Sequence, residues 1–195
     1  MLLSNRQFFV RERVSFLKLA NTYDIFDPQT SLQIGIARDE PSGWTKFARF
    51  LGASNILPTL VQIYERETLP PVLSLRKLSA MEGNKVILTD AQGALLGSFV
   101  NKNKLIGEGF LVLDKDGNQF AAIEGDWKAW NFRVLDMQGR ELGVLTRKWD
   151  GIAKALFTNA DNYLISVADI AVTVVNANAL LLAAGLVIDL FFEEW

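Results

Sequence analysis

Short runs in which apolar and polar residues alternate fill the middle of the chain, and each pair of runs is separated by a turn. KVILTDAQGALLGSFV at residues 85–100, GFLVLDKDGNQFAAIEG at 109–125 and NFRVLDMQGRELGVLTRKW at 131–149 share this form. A period of two marks a strand with one buried face, and Asp-x-x-Gly or Asp-x-Asp-Gly supplies the side chain and the permissive backbone of a tight reversal. TYDIFDPQTSLQIGIAR at 22–38 repeats the form around Asp27-Pro28, and KALFTNADNYLISV at 154–167 repeats it with Asn159 to Asn162 as the turn. Hairpins at such regular spacing predict an up-and-down antiparallel sheet closed on itself.

Two segments depart from this rhythm. In SGWTKFARFLGASNILP, residues 42–58, Trp44, Phe47, Phe50 and Leu51 fall near helical spacing with Lys46 and Arg49 between them, which predicts a short helix packed over a barrel end, the alternative being an amphipathic helix at a membrane surface. The second is IAVTVVNANALLLAAGLVI at 170–188, with ten apolar residues unbroken from Ala179 to Ile188. A membrane-spanning helix needs about 20 such residues, usually with Lys or Arg at its cytoplasmic side, and this segment has neither. A helix apolar on every face belongs inside a protein. The pattern therefore predicts a central helix over 170–193 lying along the barrel axis. Leu181, Leu182, Ala184, Gly185, Leu186 and Ile188 form its buried core. Ala183, Ala184 and Gly185 supply a small surface, while Asp189, Glu193 and Glu194 mark the exit to water.

Composition narrows the chemistry. The 195 residues, 50% hydrophobic and 22% charged, suit one domain over 1–195, and a net charge of −2 gives no reason to expect nucleic acid. There is no cysteine and no histidine, which excludes disulfides, thiolate catalysis, S-palmitoylation, Zn-Cys sites and every Ser-His or Cys-His arrangement. No Gly-rich phosphate loop or nucleophile elbow is present either, so the expectation is a protein that is not an enzyme. The N-terminal apolar pairs are broken by Arg6, Arg11, Arg13 and Lys18, unlike a signal peptide, and a cytoplasmic location follows as an expectation.

Two stretches carry a resemblance. The turn NADNY at 159–163, a short strand, and an apolar helix ending in LVIDLFFE at 186–193 resemble the C-terminal end of the phospholipid scramblase family, and YDIFDPQTSLQIGIARDE at 23–40 is similar to the start of the same domain. The likeness extends over about residues 7–195 and reaches the LURP-one-related and tubby C-terminal groups. It implies a twelve-stranded barrel around one C-terminal helix, mainly β. It also implies lipid chemistry, with calcium-stimulated scrambling in animal scramblases and phosphoinositide binding in tubby.

On this reading Asn159, Asp161 and Asp169 are the calcium candidates. Ca2+ takes six to eight oxygens, and two carboxylates with the amides of Asn159 and Asn162 fall short of that set. The candidates for a lipid headgroup are Lys102, Lys104, Arg147 and Lys148, since phosphate is held by charge-assisted hydrogen bonds. The expected partner is an anionic phospholipid or a membrane surface on its cytoplasmic face. The expected activity is phospholipid binding or transbilayer movement without covalent catalysis. The alternative is a soluble module that binds a protein or small ligand.

Overall fold

The computed structural model describes residues 1–13, 21–40, 58–79, 83, 85–102, 109–147 and 162–192. Its strands are β1 Gln7–Glu12, β2 Thr22–Phe26, β3 Gln33–Asp39, β4 Thr59–Tyr64, β5 Leu73–Lys77 and β6 Lys85–Asp90. They continue as β7 Leu95–Asn101, β8 Phe110–Leu113, β9 Gln119–Asp126, β10 Asn131–Asp136, β11 Glu141–Thr146 and β12 Asn162–Val167. Each pairs antiparallel with its neighbour in sequence, and β12 returns to β1 through Phe8 opposite Ile165 and Val10 opposite Tyr163, so the barrel is closed. Both edges of β12 are occupied, by β1 and β11. The first half of the hairpin expected within 154–167 lies outside the described residues, as does the segment 42–57.

One helix, α1 at Ala177–Phe192, fills the lumen. Twelve strands about 4.8 Å apart and tilted by about 40° enclose a radius of roughly 12 Å, close to the roughly 10 Å at which packed layers sit. A single helix fits. Leu181, Leu182, Ala184, Leu186 and Ile188 are buried, as is Gly185. They meet the inward residues of the wall, among them Phe8, Val61, Leu75, Phe99 and Ile165, in one continuous core. Each fully buried Leu, Ile or Val contributes about 1.5–3 kcal/mol of transfer free energy before chain entropy is subtracted. The helix starts later than the apolar run: residues 169–173 form a 3-10 turn, and Asn176, in the left-handed region at φ 60°, turns the chain into α1. Among the described residues no helix is long and apolar enough to cross a membrane.

The hairpins share a detail that fits them to the helix. In four of them one residue is skipped by the pairing: Ile34, Leu96, Phe120 and Leu142, each followed by a small residue, Gly35, Gly97, Ala121 or Gly143. The bulge turns the larger side chain toward the core, and the small residue lets wall and helix approach. A Cβ on Gly97 would lie 2.6 Å from the Leu113 carbonyl oxygen and 3.1 Å from Leu180 of α1. On Gly143 it would lie 2.6 Å from the Ser166 carbonyl oxygen and 2.8 Å from Leu181. The turns before three of these bulges are alike: Asp90, Asp114 and Asp136 each accept the backbone N–H groups two and four residues on. The glycines three residues after these aspartates hold positive φ. The Asn118 N–H keeps the Asp114 carboxyl below its usual range, whereas for Asp136 the Arg140 N–H and guanidinium outweigh an opposing push from burial.

On the outer face of the β1–β2 seam Asp24 is buried yet charged. Burial alone would raise its pKa. Hydrogen bonds from Arg13 (2.6 Å) and Arg11 (3.0 Å) prevail and hold it below its usual range, and Gln33 adds a third donor at 2.9 Å. A carboxylate whose folded pKa is depressed adds stability above its unfolded value of about 3.9, and that contribution disappears as pH falls through the folded value. Asp24→Asn is expected to cost about 1–3 kcal/mol at neutral pH. The gap from wild type should close as denaturant unfolding is repeated from pH 5 down through about pH 3.

The glycine contacts give a second test. Gly97→Ala puts a methyl against the wall's own backbone and should cost about 1–3 kcal/mol. Gly185→Ala meets the ends of two fully buried side chains, Ile165 Cδ1 at 2.6 Å and Tyr163 Cε2 at 2.9 Å, which give by a small shift more readily than backbone does. It also gains helix propensity of about 1 kcal/mol, so its stability should stay within about 1 kcal/mol of wild type. Urea unfolding of the two variants side by side measures the contrast.

Candidate functional site

The two ends of the barrel differ. At one, which we term the hairpin end, four of the five strand connections are Asp turns and α1 enters the lumen. At the other most connections are longer, the β9–β10 turn at 127–130 excepted, and α1 leaves. Long loops on a rigid wall are where binding residues usually sit, and at this end the inward positions change from apolar to charged. Asp39, Thr59 and Lys77 stand at the ends of β3, β4 and β5 and are buried, as is Asp189 of α1.

The last turn of α1 ties these groups together. Lys77 Nζ lies 4.4 Å from the centroid of the Phe191 ring, and Phe191 meets Phe110 edge-on at 5.1 Å. Across the lumen the Arg147 guanidinium lies over Trp130 at 4.9 Å and places Nη2 3.8 Å from Asp189 Oδ1. Trp130 stacks on Tyr163 at 4.5 Å and meets Phe132 edge-on, and Trp127 meets Phe132 in the same way. Asp126 Oδ1 accepts the N–H groups of Lys128 and Ala129, closing the turn that leaves Trp130 at φ 47°, a conformation costly for an aromatic residue and held here by its burial. Two cations beside the C-terminal end of α1 also complement its dipole.

Asp189 is a correction to the sequence reading. It does not mark an exit to water: it is 3% exposed and faces Arg147. Glu193 and Glu194 lie outside the described residues. The headgroup candidates are not brought together either. Lys102 follows β7 and gives its ammonium to Glu124 at 3.0 Å, whereas Arg147 follows β11 and points into the lumen. Four strand spacings, on the order of 19 Å of wall, separate those strands. Lys104 and Lys148 lie outside the described residues, as do Asn159 and Asp161. Asp169 sits beyond the hairpin-end terminus of β12, where it pairs with Arg6. The six residues of β12 span roughly 20 Å and Ca2+ ligands lie about 2.4 Å from the ion, so Asp169 and the residues at the start of β12 cannot share one cation.

The sequence reading missed Lys77 and the Arg147–Asp189 pair. The signal was available in LSLRK, where the alternation that puts Leu73 and Leu75 inside puts Lys77 inside as well. Both polar atoms of the Asn162 side chain, at the start of β12, are buried without a hydrogen-bond partner. Among the described residues no group of three or more acids is placed to hold a metal ion.

Comparison with known proteins agrees with this architecture. A crystal structure of a protein from Arabidopsis thaliana superposes with a TM-score of 0.54 at 12% identity, covering 97% of this chain and 92% of that one, which establishes the shared tubby-like fold. None of the curated proteins compared matches the chain. The sequence profile of the Scramblase family matches residues 72–194, from the residue before β5 through the whole of α1. With more than half of its length matched, and with a closed barrel built around a C-terminal helix, the chain belongs to the Scramblase family.

Proposed function

We propose that this protein is a non-catalytic phospholipid-binding barrel that works at a membrane surface. The observation that carries the reading is the family match over residues 72–194, which brings the lipid chemistry of that family to this chain. The structure limits how such a role is performed. The lumen is occupied along its length by α1, so a lipid meets the ends or the outer face of the barrel and does not pass through it. Lys102 and Arg147 already serve Glu124, Asp189 and Trp130. Headgroup binding at those two cations would have to displace the intramolecular partners, which makes a simple basic pocket a poor account of lipid capture. Transbilayer movement, if the protein performs it, follows from disturbing the bilayer from one side.

Co-flotation of the full chain with phosphatidylcholine vesicles, and with vesicles that also contain phosphatidylserine, tests the reading. Vesicle-bound protein is the expected result. A dithionite assay on the same vesicles, with and without Ca2+, then separates binding alone from lipid movement, because scrambling exposes inner-leaflet probe to the quencher. Failure to bind any of these vesicles, with or without Ca2+, would overturn the proposal.

A further inference from the structure

Among the described residues the large apolar side chains left in water are Met1, Leu32, Leu69, Leu95, Met137 and Val175, between 42% and 92% exposed. All of them lie at the hairpin end. Leu32 is in the β2–β3 connection, Leu69 in β4–β5, Leu95 at the close of the β6–β7 turn, Met137 in β10–β11 and Val175 between β12 and α1, with Met1 beside them at the start of the chain. Of the connections at this end only the β8–β9 turn, Asp114 to Asn118, has no such residue. Single exposed leucines need no explanation. One on nearly every tip at one end, with none of comparable exposure on the described barrel wall, is a pattern. The packing of the core does not require it, since these side chains point away from it.

We infer that the hairpin end of the barrel docks on the zwitterionic surface of a phospholipid bilayer, the apolar tips entering the interface. This deepens the proposed function and rests on it. The tips are separate: Leu32, Leu95 and Met137 each stand beside the polar groups of an Asp turn, and Leu69 lies in a connection rich in charged residues, so they form no continuous face of the kind a folded protein partner covers. A fluid interface takes isolated protrusions without shape matching, and the gain grows with the apolar area buried. Charge selects the lipid. Each Asp turn contributes a carboxylate, and Glu65, Glu67, Asp116 and Asp169 add to them. These acids outnumber Arg6, Arg66, Lys115, Arg140, the Met1 amine and Arg13, which reaches Glu67 at 3.7 Å. An acidic face is repelled by an anionic leaflet and is tolerated by a neutral one. Behind the tips an apolar crevice lined by Phe120, Leu142, Val174, Ala177 and Leu181 leads to the side of α1. Docking at this end thus places the bilayer beside the entry of the central helix.

The chain has no cysteine, so single labels can be placed cleanly. Leu32→Cys, Leu95→Cys and Met137→Cys, each carrying an environment-sensitive dye, should shift to the blue on addition of phosphatidylcholine vesicles, whereas a dye on Lys128→Cys at the opposite end should not. The triple variant L32S/L95S/M137S should lower vesicle partitioning by at least about tenfold with an unchanged melting temperature, because the three side chains are exposed in the free protein. Tip dyes that do not respond while wild type binds, a response at position 128 instead, or undiminished binding of the triple variant would overturn this docking face and leave the lipid reading standing. If wild type binds no vesicle at all, the lipid reading falls and the docking face falls with it.

Discussion

Twelve strands can close on themselves only if something fills the space they enclose, and here α1 fills it. Nearly every other feature answers to that requirement. A helix in a closed lumen has no solvent side, which is why α1 lacks the polar stripe of a surface helix and is apolar from Ala179 to Ile188. The wall must come close on all sides, which explains Gly97 and Gly143 where strands pass Leu180 and Leu181, and Gly185 where the helix passes Tyr163 and Ile165. The bulges that precede the small wall residues turn Leu142 and its counterparts inward where the helix is entering. Local turn chemistry, wall packing and the lumen are therefore one solution to one constraint.

The same constraint makes the ends unlike. Where α1 enters, most of the reversals are short, and at Asp90, Asp114 and Asp136 one side chain holding two backbone N–H groups builds the turn. Where α1 leaves, an apolar plug is replaced by charges that cannot be buried alone. Asp189 has Arg147, and Lys77 and Arg147 lie over aromatic rings. Such pairs contribute little net stability, but removing one member leaves the other uncompensated, so they fix how the last turn of the helix sits. One end is thus specified by turns and the other by paired charges and rings.

Much of the fold was legible in the sequence because its signals are local. Alternation gave the strands of four hairpins, Asp and Gly gave their turns, and the length and uniformity of the apolar run gave the buried helix. What could not be read depends on contacts far apart in the chain. The last strand of the 154–167 segment is β12, and what no local pattern shows is that it closes the barrel, with β1 on one edge and β11 on the other. Asp189 looks like an exit to water because acids usually are, and its partner Arg147 is distant in sequence. Likewise Lys102 and Arg147 read as similar basic positions, whereas the topology puts them four strands apart, one on the outside and one in the lumen. The apolar tips were invisible for the opposite reason: Leu32, Leu95 and Met137 resemble core residues in any pattern of hydrophobicity until the turn geometry turns them outward.

The occupied lumen also bears on how a member of this family can act on lipid. Drawing α1 out would expose an apolar cylinder and strand the inward faces of twelve strands, a loss comparable to unfolding for a domain whose net stability is about 5–15 kcal/mol. A released helix would gain little in exchange, since α1 has 16 residues and hydrocarbon asks for about 20. An intact barrel touching the bilayer from outside avoids that loss. On the docking proposed above, its apolar-tipped end would meet the surface while the ion-paired end keeps the last turn of the helix in place.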